Sequence, residues 1–167
     1  MDKTPSTTRR ERPSIGWREW VSLPDLSVDW IKAKVDTGAR TSSLHAFDVE
    51  RFRERGRDMV RFLIHPDQRS VERTIVAEAE LLEERRVKNS GGQTEIRPVI
   101  LTTVGILGER LEVELTLTRR DVMGFRMLLG RQAVRNRFLV DPGRSYYSER
   151  PPRRKKKKKK TRKHRLP

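Results

Sequence analysis

Asp36, Thr37 and Gly38 stand between WIKAKV and ARTSSLHA. An aspartate in that position is either the catalytic carboxylate of a peptide hydrolase or the first residue of an ordinary turn. In the turn, Asp36 and Thr37 bond local backbone groups and Gly38 takes a left-handed conformation. In the hydrolase, two neighbouring carboxylates cannot both ionise and so share one proton. The ionised one takes a proton from water, and the protonated one polarises the carbonyl that the water attacks. The chain has one Asp-Thr-Gly and no Asp-Ser-Gly. Its nearest other motif, VDPG, places Asp141 next to Pro142, whose fixed φ and missing N–H mark a structural turn.

Other chemistries lack their residues. There is no cysteine, which excludes thiolate zinc sites, disulfides and cysteine nucleophiles. The histidines are His45, His65 and His164, with no His-Glu-x-x-His pair and no glycine-rich Lys-Ser/Thr phosphate loop. No metal or cofactor is expected, and any ATP dependence would reside in a partner.

The elements that must position Asp36 have the period of strands. In WIKAKVD, Ile31, Ala33 and Val35 share one face and Lys32 and Lys34 the other. GERLEVELTLTRR sets Leu111, Val113, Leu115 and Leu117 against Glu112, Glu114, Thr116 and Thr118. VERTIVAEAELLEERRVKN and QTEIRPVILTTVGIL, joined by NSGG at Asn89 to Gly92, form a long hairpin whose turn uses the glycines' freedom at positive φ. A helix competes for VAEAELLEERR, which is rich in good helix formers. In FRMLLGRQAVRNRFLVDP a buried strand turns at Gly130 into a short helix-compatible piece. The pattern is all-β, with one short helix near the C-terminal end.

The chain of 167 residues carries a formal net charge of +16, with 34% hydrophobic and 37% charged residues. Residues 150–167 hold 12 of the 39 Lys and Arg and none of the 23 acids, which leaves 27 basic against 23 acidic residues in the body. The expected organisation is a flexible arm over 1–13, one domain over 14–148 and a disordered polybasic tail over 149–167. Lys155, Lys156, Lys157, Lys158, Lys159 and Lys160 would attract RNA or an acidic protein tail by charge alone, or simply keep the chain end solvated. No aromatic residue follows Tyr147, so the tail offers no stacking. Neither a secretory signal nor an apolar run of about 18 residues is visible, so a cytoplasmic protein without a membrane contact is expected.

KAKVDTGARTSSLHA, RPVILTTV and FRMLLGRQAVRNRFLVDPGRSY together resemble the bacterial family known as ATP-dependent zinc proteases, across about Ile15 to Tyr147. That family has a retropepsin-like fold. The resemblance implies a closed β-barrel in which a strand delivers Asp-Thr-Gly into a wide loop, a hairpin flap follows, and an apolar-apolar-Gly strand packs beneath the loop. It implies aspartic peptidase chemistry, with Asp36 as the acid–base residue, Thr37 bracing the opposite loop and Gly38 admitting water and substrate. With one motif per chain, the second Asp36 must come from a second copy, so a homodimer is expected. Arg40 and His45 lie next to the loop as substrate-binding candidates, and Ser90, Gly91 and Gly92 sit at the flap tip. Zinc gains no support from the residues present. Some relatives are linked to an ATP-using ligase that adds glutamates to a ribosomal protein tail, which makes acidic or glutamylated tails the implied substrate and that ligase a partner. A non-catalytic module bound to the ribosome or to RNA is the alternative on the same fold.

Overall fold

Short β-branched segments punctuated by Gly, Pro and Asp have become strands in the computed structural model, which describes residues 11–88, 91–119 and 124–149. Most of the expected arm, Ser90 and the run Lys155 to Lys160 lie outside the described residues. The strands are β1 (Ser14–Gly16), β2 (Arg18–Leu23), β3 (Val28–Asp36), β4 (Ser42–His45), β5 (Phe47–Glu54) and β6 (Arg57–Ile64). They continue with β7 (Ile75–Glu80), β8 (Glu83–Lys88), β9 (Thr94–Ile106), β10 (Glu109–Thr118), β11 (Met127–Gly130) and β12 (Leu139–Asp141). One α-helix, α1 (Arg131–Val134), follows β11 directly, and Pro24–Leu26 form a single 3-10 turn. The all-β expectation with one short helix near the C-terminal end holds.

The main sheet runs β10-β4-β11-β3-β2-β9-β8, and β9 also pairs with β10. Six strands therefore hydrogen-bond in a closed circuit, with β8 appended as an edge. Inside it lie the alternating residues expected from the sequence: Ile31, Ala33 and Val35 of β3, and Leu111, Val113, Leu115 and Leu117 of β10. A separate sheet, β5-β6-β7, adds Val60, Phe62, Ile64 and Ala77 to the same core. The parallel pair β1 and β12 brings the two ends of the domain together.

The long hairpin differs from expectation. Its first arm is split at Leu81 and Leu82: β7 pairs with β6, and only β8 pairs with β9. The Leu81 N–H donates to the Asp58 carbonyl at 2.9 Å and the Leu82 N–H to the Val99 carbonyl at 2.8 Å, so two adjacent leucines step from one sheet to the other. The helix-forming residues of this arm are overruled by ladder bonds, to β6 in its first half and to β9 in its second.

Two carboxylates, Asp25 exposed and Asp141 half-buried, tie turns to this frame. Asp25 accepts the Thr103 N–H at 2.8 Å, and its carboxyl is held below the ordinary 3.8 by hydrogen bonds from the Thr103 side chain and backbone. Asp141 is lowered likewise, first by the Tyr147 hydroxyl at 2.7 Å and then by the Gly143 N–H at 2.8 Å. A depressed carboxyl adds stability above its unfolded value and loses it as pH falls through the folded one. The urea midpoint should therefore drop as pH falls below about 3.8. Asp25→Asn with Asp141→Asn should flatten that acid limb, and an unchanged slope would remove these two groups from the account.

Candidate active site

Asp36 is the last residue of β3 and stands in parallel register with Gly130, the last residue of β11. Because β11 lies between β3 and β4, the loop joining those two strands must cross its end. The crossing leaves no room. A Cβ on Gly130 would lie 2.4 Å from the Thr41 carbonyl carbon and 2.9 Å from the Ser42 nitrogen. Glycine is required here by close approach. The Gly130 N–H donates to Ser42 Oγ at 2.9 Å, which fixes the far side of the loop.

The first turn of α1 holds the rest. The Arg131 N–H bonds the Ala39 carbonyl at 2.8 Å, the Gln132 N–H bonds the Arg40 carbonyl at 3.0 Å, and Arg131 Nη1 reaches the Thr37 carbonyl at 3.1 Å. Two backbone N–H groups and one guanidinium nitrogen from the first two helical residues thus satisfy three loop carbonyls, and the loop is set by the body rather than by its own sequence. Asp36 Oδ1 accepts the N–H groups of Gly38 at 3.0 Å and Ala39 at 3.1 Å. Those bonds orient the carboxylate. Its Oδ2 has no hydrogen-bond partner among the described residues, and the side chain is half-buried at the mouth of the loop. Such a group has one oxygen committed to geometry and one open to a water or to a second carboxylate.

The turn geometry of Asp36 is real, but Gly38 is not among the positive-φ glycines. A Cβ there would make a close contact with Asp36 Oδ1, at 3.3 Å. Thr37 and Arg40 are exposed beside it. His45, at the end of β4, is 4% exposed, with its ring 4.3 Å from Phe47 and its Nδ1 unpartnered. Gly91 and Gly92 are exposed at the end of the β8–β9 hairpin, and Gly92 has φ 80°. Ser42 and Arg131 are the positioning residues that sequence reasoning passed over. The only hint was a hydroxyl run after Asp-Thr-Gly and a basic residue after MLLG. No group of three or more His, Asp or Glu residues among the described residues could hold a metal ion.

Gly130→Ala forces backbone against backbone, so a loss of about 3 kcal/mol or more is expected, at the upper end of overpacking costs. Chemical denaturation reads this directly. A midpoint equal to the parent's would show that the loop yields without cost.

The family model described as retropepsin-like aspartic endopeptidase RimB matches residues 14–151. A protein of Shewanella pealeana, named a probable alpha-L-glutamate ligase, is 47% identical over 132 residues, covering 79% of this chain and 29% of that protein. A Desulfotalea psychrophila protein of the same name is 44% identical over 131 residues, 77% of this chain and 28% of the relative. The chain spans less than a third of the length of these curated relatives. A crystal structure of a Legionella pneumophila protein of unknown function superposes with a TM-score of 0.70 at 25% identity, over 82% of this chain and 98% of that one. With the Asp36 loop, the β11 strand beneath it and a family match over nearly all the described residues, the chain belongs to the RimB-like family, retropepsin-like in fold.

Proposed function

We propose that this protein is a homodimeric aspartic peptidase that removes glutamates from glutamate-rich or glutamylated protein tails, such as that of a ribosomal protein. The observation that carries the reading is the Asp36 carboxylate, oriented through Oδ1 by the Gly38 and Ala39 N–H groups with Oδ2 open. In the dimer, two Asp36 residues share one proton. The ionised carboxylate takes a proton from water, whose oxygen bonds to the peptide carbon while the other carboxyl gives its proton to the carbonyl oxygen. The resulting gem-diol collapses, the C–N bond breaks, and the amine leaves with a proton from the pair. Thr37 braces the opposite loop, Gly38 admits the water, and Arg40 meets a substrate carboxylate. His45 is buried, so substrate contact falls to Arg40 and to the hairpin tip at Ser90, Gly91 and Gly92.

The substrate class is supported by the relatives. Proteins named as probable glutamate ligases include a region similar to this chain within a longer polypeptide. A peptidase joined to an enzyme that adds glutamate meets that product first, and a free-standing copy would meet the ATP-using ligase as a partner. Lys155 to Lys160 would add long-range attraction to the same acidic tails or to ribosomal RNA. No helix among the described residues is long and apolar enough to cross a membrane, and a cytoplasmic site of action fits a substrate on the ribosome.

The test is to incubate the protein with an oligo-glutamate-tailed peptide and with a neutral peptide, following mass. Stepwise loss of glutamates from the first alone is expected. No cleavage at any pH from 4 to 8, in a protein that sediments as a dimer, would overturn the reading.

A further inference from the structure

On the β8–β9 hairpin the charges divide by face. The register pairs Arg85 with Arg97 and Val87 with Glu95 on one side, and Glu84 with Pro98, Arg86 with Ile96 and Lys88 with Thr94 on the other. The first side is internally satisfied. Arg85 bridges Glu83 at 2.5 Å and Glu114 at 2.9 Å, and Arg97 bridges Glu95 at 2.6 Å. On the second side Glu84 meets Arg51, but Arg86 and Lys88 are exposed and have no hydrogen-bond or ion-pair partner among the described residues. Directly across from Arg86 stands Ile96, an isoleucine 58% exposed.

Strand parity says where this side points. Ile96 and Pro98 continue the even-numbered row of Ile100, Val104 and Ile106, whose side chains fill the core. Arg86 and Lys88 therefore extend the core-facing side of the hairpin beyond the core. Two exposed cations at alternate positions of one strand, beside an exposed apolar side chain, make a surface complementary to an anionic chain with an apolar stem. Moreover β8 ends the sheet order, and among the described residues no other strand pairs with its outer edge.

We propose that this side of the hairpin selects acidic substrates, with an extended glutamate-rich segment lying along β8. Its alternate carboxylates pair with Arg86 and Lys88, and Ile96, across from Arg86 on β9, supports the methylene stem of Arg86. Alternate side chains of any extended chain are about 6.6–6.8 Å apart, so two such glutamates meet the two cations without bending either strand. The free edge of β8 offers the main-chain groups for strand addition. Arg86 and Lys88 are specificity-determining residues in this arrangement and touch no reacting atom. The inference rests on glutamate-rich substrates, but its test is independent of catalysis.

Fluorescence anisotropy of a labelled hexaglutamate-tailed peptide is measured with the full chain carrying Asp36→Asn, alone and with Arg86→Gln and Lys88→Gln added. Two exposed charge pairs correspond to a roughly tenfold rise in Kd. A control variant, Arg55→Gln with Arg69→Gln, removes two exposed cations elsewhere and should leave Kd unchanged. All variants are first shown to melt together with their parent. An unchanged Kd in the hairpin variant, an equal rise in the control, or no binding by the parent overturns the proposal. If binding depends on the hairpin but wild type cleaves nothing, the specificity assignment stands and the peptidase reading falls.

Discussion

Asp36→Asn should lower kcat for cleavage of a glutamate-tailed peptide by about 10³-fold or more, near the upper range for loss of an acid–base group. The fold should not change. Asparagine keeps a carbonyl oxygen where Oδ1 accepts the Gly38 and Ala39 N–H groups, so the loop retains its two local bonds. What disappears is the charge that activates water and the proton that the pair must share. A melting temperature equal to wild type, with activity gone, separates chemistry from folding.

The same variant also tests stoichiometry. If two chains build one site, mixing one part wild type with nine parts Asp36→Asn and allowing exchange leaves only about a tenth of wild-type chains facing a wild-type partner. Activity per wild-type chain should then fall about tenfold. A catalyst complete within one chain would be indifferent to the mixture. Full activity in the mixed sample after verified exchange would reject the shared site even if Asp36 is essential.

The parts of this architecture that could be read from the sequence are those in which local pattern and long-range pairing agree. Period-two alternation located β3 and β10, and Asp-Thr-Gly with MLLG gave two ends of a contact whose register is Asp36 with Gly130. The misreadings have physical causes. The arm broken at Leu81 and Leu82 keeps a nearly continuous alternation, so nothing local announces that its halves belong to different sheets. The resemblance put His45 beside the Asp36 loop as a substrate-binding candidate. Yet Leu44 and His45 are both buried, since β4 is covered by the core on one face and by Phe47 on the other. The plain-turn reading gave Gly38 a left-handed conformation; its φ is not positive, and a Cβ there would come 3.3 Å from Asp36 Oδ1.

Glu19→Gln is expected to be among the most damaging substitutions outside the loop, and nothing in the local sequence marks it. Glu19 takes the core-facing position in β2 between apolar neighbours and is fully buried. Its carboxylate is satisfied without any cation. Oε1 accepts the Gly16 N–H at 2.7 Å and the Tyr147 N–H at 2.9 Å, while Oε2 accepts the Ser148 N–H at 3.1 Å and the Ser148 hydroxyl at 2.7 Å. One side chain thus pins the start of the domain and the segment leading to the polybasic tail onto the strand next to β3. Glutamine replaces one of those oxygens with an NH₂ group. At the Oε2 position the Ser148 hydroxyl can turn toward the Trp20 carbonyl and accept from the amide, but the Ser148 N–H loses its acceptor. A charge-assisted bond costs about 1.5–3 kcal/mol when lost, so a destabilisation of about 2–3 kcal/mol follows. For a domain of this size that is a fall of roughly 6–12 °C in Tm. Limited proteolysis should show cleavage near residues 145–149 well below the global transition, because the C-terminal segment is released before the ring of strands opens. A Glu19→Gln protein that melts within a degree or two of wild type, with that segment still protected, would mean that β1 and β12 anchor the chain ends by themselves.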